Sequence, residues 1–259
     1  MKPKIATPVS TIFNATPRLS EILELSDVLE VRELSRPVAS GLPRIYHCDW
    51  SLIEPWTERE LQEITNIIAG NHPQLVTFHL HACYPKPPLA DGMFQPHGER
   101  MSTAEMIANA QANQANLEAK LGKAIPMGVE NNNYYPTGAY ETVTDAEFIN
   151  TLMDKLDLKL LLDVAHAQIT AVNQKINLED YLSGLNLVNA VQLHLSRPGR
   201  DPKDSSLARD FHEALENGDW EIVKMIMPRC PSLQYLTLEY YKDDMKLLAM
   251  LKILKDILQ

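Results

Sequence analysis

Strand-like and helix-like patterns alternate along almost the whole chain, and that alternation limits the fold more than any other feature of the sequence. Runs rich in apolar and β-branched residues stand at KIATPV, VLEVREL, RIYHCDW, LVTFHLHA, IPMGVENN, LKLLLDVAH, VNAVQLHLS and LQYLTLEYY, eight in all. Helical patterns lie between most of them: TPRLSEILEL, TERELQEITNIIAG, STAEMIANAQANQANLEAKLG, TDAEFINTLMDKLD, NLEDYLSGL and SSLARDFHEALENGDWEIVKMIM, with MKLLAMLKILKDILQ last. Thr57 with Glu60 and Ser102 with Glu105 have capping-box spacing, so helices are expected to start there. A strand that returns parallel to its predecessor needs a crossover, and a helical crossover covers the sheet face. Eight such units in 259 residues predict a (β/α)8 TIM barrel, one α/β domain over residues 1–259. Only the second connection departs from the pattern, because SRPVASGLP at 35–43 holds no helix signal. A doubly wound open sheet is the alternative.

Composition narrows the partners. A formal charge of −10 repels phosphate backbones and anionic lipid, and no basic patch offsets it, so neither nucleic acid nor membrane is expected as a partner. No apolar stretch approaches the about 20 residues of a membrane span. MKPKIATPVS lacks the apolar core of a signal peptide, and a cytoplasmic protein is expected. Cys48, Cys83 and Cys230 form an odd set without CxxC spacing, which indicates reduced thiols rather than a disulfide framework or a thiolate zinc site. The YLTLEYY run and the apolar C-terminal helix either close the barrel or support a dimer, so the oligomeric state stays open.

In a barrel of this class the active site forms at the carboxyl ends of the strands. Polar residues recur at those ends: Glu30, His47, His79 with His81, Glu130, Asp163 with His166, His194 and Glu239. Buried carboxylates repel one another and lose hydration unless a cation sits among them, so a bound metal is expected. Glu130, Asp163, His194 and Glu239 fall on four consecutive strands, and His166 follows Asp163 by three residues, where the strand is expected to run into its loop. A carboxylate and imidazole set without thiolate suits iron, manganese, zinc or cobalt and suits copper(I) poorly. His72 is expected in a surface loop, His97 in a long segment, KPPLADGMFQPHGERMS, able to fold over the mouth, and Asp210 and His212 in a helix-like stretch.

Between Met127 and Pro198 the segments VENNNYYP, TDAEFINTLMDKL, LLLDVAHAQITAVN, LEDYLSGL and VQLHLS resemble the multinuclear non-haem iron-dependent oxidative enzymes, which carry Glu-Asn, Leu-Leu-Leu-Asp-Val and Ile-His-Leu motifs at much the same spacing. The resemblance implies a xylose-isomerase-like barrel with two or three irons. It implies oxygen-dependent remodelling of cysteine or related residues in a peptide, often presented by a partner protein. By position it implies that Glu130, Asp163 and His194 are metal ligands, with His47, His79, Asp210, His212 and Glu239 as further ones. The chain departs from the family where DVAH replaces Asp-Val-Asn-Asn and HLSRP replaces His-Leu-Ala-Gly-His.

Those departures are similar to the sugar isomerases and epimerases of the wider superfamily. That second resemblance implies a single divalent ion held by Glu130, Asp163, His194 and Glu239 with His166 beside it. Glu130 and Glu239 would then move a proton through an enediolate on a small-molecule substrate, and Arg197 would grip that substrate. His81 and Asn132 are further candidates for substrate contact. A barrel that binds a metal or ligand without turning it over is the third reading.

Overall fold

All eight apolar runs are strands, and they close on themselves. The computed structural model describes residues 2–259. β1 (Lys4–Pro8), β2 (Val28–Val31), β3 (Arg44–Ser51), β4 (Val76–His79), β5 (Met127–Glu130), β6 (Lys159–Asp163), β7 (Ala190–Leu195) and β8 (Tyr235–Leu238) form a closed barrel in chain order, β8 returning to β1. Every barrel pairing is parallel. The open doubly wound alternative is thereby excluded. Around the barrel lie α1 (Thr11–Ala15), α2 (Leu19–Leu25), α3 (Glu58–Asn71), α4 (Thr103–Leu121), α5 (Ala146–Leu156), α6 (Val164–Gln174), α7 (Leu178–Gly184), α8 (Asn217–Ile226) and α9 (Asp244–Ile257).

Local chemistry accounts for the helix ends. Thr57 and Ser102 form complete capping boxes with Glu60 and Glu105, each satisfying backbone donors that the first turn leaves without partners. α4 stops at Gly122, whose φ of 65° is left-handed and costs glycine nothing. The 32–43 connection carries no helix, in agreement with its sequence. α9 covers the barrel against α2, β1 and β8, which accounts for the apolar C-terminal pattern. Among the described residues no helix is long and apolar enough to cross a membrane.

Two expectations fail. The stretch at 205–227 is not one helix: Ala208–Glu213 is a strand that pairs antiparallel with Arg197–Arg200, and α8 begins only afterwards. This hairpin docks on α6, where the Asn173 side chain bonds both the backbone N–H and the carbonyl of Ala208 at 2.8 and 3.1 Å. Nor does His166 lie in a loop: α6 starts directly after Asp163. The long segment after β4 contains a short hairpin, Leu89–Ala90 with Met93–Phe94, and the two hairpins touch where Arg209 reaches the Asp91 carbonyl.

Strand alternation decides what lines the barrel, since successive side chains point to opposite faces. Leu29, Tyr46, Phe78, Val129, Leu162, Leu193 and Leu236 join the apolar layer under the helices. Their neighbours face the axis. Low in the barrel these are Ala6, Val28, Ile45 and Tyr235, part of a separate small apolar cluster. Higher up they are Glu30, His47, Thr77, Glu130, Asp163, Gln192, His194 and Thr237, all buried. Gly128 keeps this layer tight, because a β-carbon there would lie 2.9 Å from the Lys159 carbonyl oxygen.

Candidate metal centre

Register brings the polar residues to one level: Asp163 pairs with His194 across β6 and β7, and His194 with Thr237 across β7 and β8. Glu130 is the hub. Its Oε2 lies 2.7 Å from His79 Nδ1 and 3.6 Å from His47 Nε2, while its Oε1 lies 3.3 Å from His194 Nδ1 and 3.8 Å from His166 Nδ1. His194 Nδ1 is also 3.3 Å from Glu239 Oε2. Two overlapping groups have donor atoms within 4.8 Å of one another: His47, Glu130 and His194, and Glu130, Asp163, His194 and Glu239. All of these residues are buried.

The refolded hairpin adds a third set. Asp210 Oδ2 stands 3.4 Å from His166 Nε2, His212 Nδ1 lies 3.5 Å from Asp210 Oδ1, and His212 Nε2 lies 3.4 Å from Glu239 Oε2. His212 is left-handed at φ 46°, a conformation that side-chain-bearing residues rarely adopt, and such strain concentrates at functional sites. Asp210 donates its backbone N–H to the Tyr135 hydroxyl at 3.1 Å, which ties the hairpin to the loop after β5. His212 is therefore no helix-surface residue.

Burial raises the Asp163 carboxyl to about 7, helped by the nearby charges of Glu130, Glu239 and Asp210 and opposed by His166. Burial would also raise Glu130, but the imidazoles of His79, His166 and His47 outweigh it and hold that carboxyl well below its ordinary range. Glu239 is held low against its burial by His194 and Arg32. His194 and His166 rise well above an ordinary histidine, because their carboxylate neighbours overcome burial. His47 is driven down by burial and by His79. The protein's own protons are thus shared among groups that a cation would compensate directly.

A metal fits this donor set. Buried atoms of the cluster that lack any hydrogen bond are His47 Nε2, Glu130 Oε2, Asp163 Oδ2, His194 Nδ1 and Asp210 Oδ1. Each belongs to a residue that converges on the others, whereas buried polar atoms are ordinarily hydrogen-bonded. Asp163, Asp210 and Glu239 each have one oxygen occupied. Asp163 Oδ1 accepts from the His166 backbone N–H at 2.6 Å, capping α6, and Glu239 Oε1 accepts from Tyr241 at 3.0 Å and from Arg32. Fixed orientation of this kind is what ligands require of their surroundings.

Not every candidate joins the cluster. The Arg197 guanidinium is committed to the start of α8, 2.9 Å from Glu216 and 3.7 Å from Asp219, and donates to the Ala214 carbonyl at 3.0 Å. Asn132 staples loops, donating to the Leu80 and His81 carbonyls at 2.6 and 2.7 Å. His81 lies on the rim, its ring against His79 and Phe94 and 3.6 Å from Glu54. His72 caps α3 and His97 is exposed, both outside the centre. Arg32 escaped the sequence reading, although its place two residues beyond Glu30 puts it on the same strand face.

Comparison with known proteins agrees with this architecture. Residues 51–257 match a family described as RiPP precursor modification enzyme MbnB/TglH/ChrH. A UPF0276 protein of Paraburkholderia phytofirmans is 29% identical over 107 residues, covering 40% of this chain and 35% of that protein. Another, of Shewanella loihica, is 24% identical over 159 residues, covering 61% and 54%. The chain thus spans about half or less of the length of these curated relatives. Among solved structures, a D-tagatose 3-epimerase-like protein superposes with a TM-score of 0.64 at 12% identity over 98% of this chain and 97% of that one. A 3-keto-D-glucoside 4-epimerase from E. coli gives 0.56 at 14% over 99% of each. A xylose isomerase-like TIM barrel protein from Mycobacterium smegmatis, in complex with magnesium, gives 0.53 at 11% over 99% and 98%. At such identities these three establish the xylose-isomerase-like fold.

Proposed function

The chain belongs to the RiPP precursor modification enzyme family MbnB/TglH/ChrH, and from that premise we propose that it is a multi-iron enzyme that uses oxygen to remodel a residue of a peptide substrate. The observation that carries this reading is the surplus of donors. Glu130, Asp163, His194 and Glu239 suffice for one ion, yet His47 and His79 crowd the other oxygen of Glu130, His212 crowds Glu239, and Asp210 stands between His212 and His166. One cation leaves those four without a metal to bind, and for His47, which is fully buried with Nε2 unpartnered, that is costly.

Iron held there by the carboxylates and imidazoles would supply redox chemistry with oxygen. The residues do the rest. Glu130 would be shared by the two overlapping donor groups, its Oε2 facing His79 and His47 and its Oε1 facing His194. Arg32 offsets the charge of Glu30 and Glu239, so the acids do not drive each other apart. The two hairpins stand beside the mouth, joined through Arg209, and the later one carries Asp210 and His212 into the centre; together they would shield it from water while a peptide residue is held. A partner protein presenting the peptide fits the same reading.

The Glu-Asp-His-Glu quartet also supports a sugar isomerase or epimerase, with manganese, zinc or cobalt in place of iron and Glu130 and Glu239 moving the proton. Two assays separate the readings. Co-expression with short peptides encoded beside this chain, followed by mass spectrometry, should give a mass change in a peptide that requires iron and oxygen. Turnover of ketoses by the manganese-loaded protein under argon, with no peptide altered, would overturn the oxidative reading.

A further inference from the structure

Glu30 lies inside the barrel beside the metal-binding groups but belongs to neither. Its carboxylate is saturated. Oε2 accepts from Gln192 Nε2 at 2.6 Å and from Thr237 Oγ1 at 3.3 Å and lies 2.9 Å from His194 Nε2, and Oε1 accepts from Arg32 Nη2 at 2.9 Å and Nε at 3.3 Å. A carboxylate offers about four lone-pair sites, so nothing is left with which Glu30 could bind an ion.

His194 is in the opposite state. Its Nε2 is engaged, while its Nδ1 is buried, lacks a hydrogen bond and stands 3.3 Å from both Glu130 Oε1 and Glu239 Oε2. The neutral imidazole that a metal requires of a histidine ligand carries one N–H and one lone pair, and the partner of the first decides where the second points. Were the lone pair on Nε2, it would face the Glu30 carboxylate at 2.9 Å, two acceptors opposed in a buried site. The Gln192 amide nitrogen, 3.0 Å from His194 Nε2, has no hydrogen left for such a lone pair, because its two N–H groups go to Glu30 Oε2 at 2.6 Å and Thr237 Oγ1 at 2.9 Å.

We propose that Glu30 is a positioning residue: it accepts the Nε2–H of His194 and thereby makes Nδ1 the nitrogen that binds metal at the Glu130–Glu239 centre. Arg32 keeps Glu30 anionic and aimed, and Gln192 and Thr237 fix its second oxygen. Histidine ligands held through their outer nitrogen by a carboxylate gain both orientation and basicity. The inference rests on the metal-centre reading above but is the same for oxidation and for isomerisation.

Zinc(II) is the probe, added to the full chain carrying ¹⁵N-labelled histidine. In the wild-type zinc form, two-bond ¹⁵N–¹H spectra should show His194 with Nδ1 metal-bound and Nε2 protonated. Glu30→Gln should weaken zinc binding about 10- to 100-fold with unchanged circular dichroism. A purely structural Glu30 would lower the melting temperature and leave zinc affinity alone. Zinc bound through Nε2 in the wild type, or undiminished affinity in E30Q, overturns the proposal. Failure of the wild type to bind zinc at all overturns the metal centre and this proposal together.

Discussion

Replacing Asp163 with asparagine should stabilise the metal-free protein and destabilise the metal-loaded one, a reversal of sign that few other roles produce. The side chain is 1% exposed, and its carboxyl is raised from 3.8 to about 7, first by burial and then by Glu130, Glu239 and Asp210. A carboxyl whose folded pKa exceeds its unfolded value loses stability as pH rises between the two. At about 1.4 kcal/mol for each tenfold change, the metal-free protein carries a penalty of roughly 4 kcal/mol above pH 7 that vanishes below pH 4. Asparagine keeps the shape, and its Oδ1 can still accept the His166 N–H that caps α6, so helix capping survives. Thermal unfolding at pH 8 in chelator should therefore show D163N gaining about 2–4 kcal/mol, or roughly 4–16 °C in Tm for a chain of this size. At pH 4 the difference should disappear. With metal at 1,000 times its dissociation constant the wild type gains about 4.1 kcal/mol that the variant loses with its ligand, which exceeds the variant's advantage without metal and reverses the sign. Equal destabilisation of D163N with and without metal would refute the reasoning.

Glu130→Gln should empty both overlapping groups, whereas His47→Ala should remove only the one beside β3, so metal analysis after anaerobic iron loading should show a larger loss in the first variant; equal losses would contradict the shared role of Glu130. Arg197→Ala should leave metal content and turnover unchanged and lower stability by about 0.5–1 kcal/mol through the α8 cap, because its partners are Glu216, Asp219 and the Ala214 carbonyl; a raised KM would show that the arginine meets substrate after all. Arg209→Ala should free the two hairpins from each other, since Arg209 joins Asp201 at 2.8 Å to the Asp91 carbonyl, and protease should then cut near residues 85–100 well before it cuts the barrel; unchanged cutting would contradict the clasp.

How much of this the sequence disclosed depended on the range of the forces involved. The barrel strands were legible because period-2 burial is local: Leu193 and Leu195 pack outward while Gln192 and His194 face the axis, and the same beat recurs in Leu236, Thr237 and Leu238. The strand-end acids and histidines followed from that beat. ARDFHEAL was misleading because its spacing suits a helix equally well, and only pairing with Arg197–Arg200, the ring of Phe211 against Gly199, and Asn173 on the Ala208 backbone make it a strand. His166 was assigned to a loop because nothing in DVAH announces that Asp163 ends a strand and caps a helix at once. Arg32 is hard to find in the sequence because an arginine one residue past a strand looks like surface, and its partner Glu239 lies at the far end of the chain.

Iron counting on protein purified and handled without oxygen, with an optical spectrum taken before and after air, tests the central claim most directly. A centre built around Glu130 with His47 and His79 on one side and Asp163, His194 and Glu239 on the other should hold more than one iron per chain and develop an absorption band on exposure to oxygen. A single ion per chain, with no spectral change in air, would contradict it.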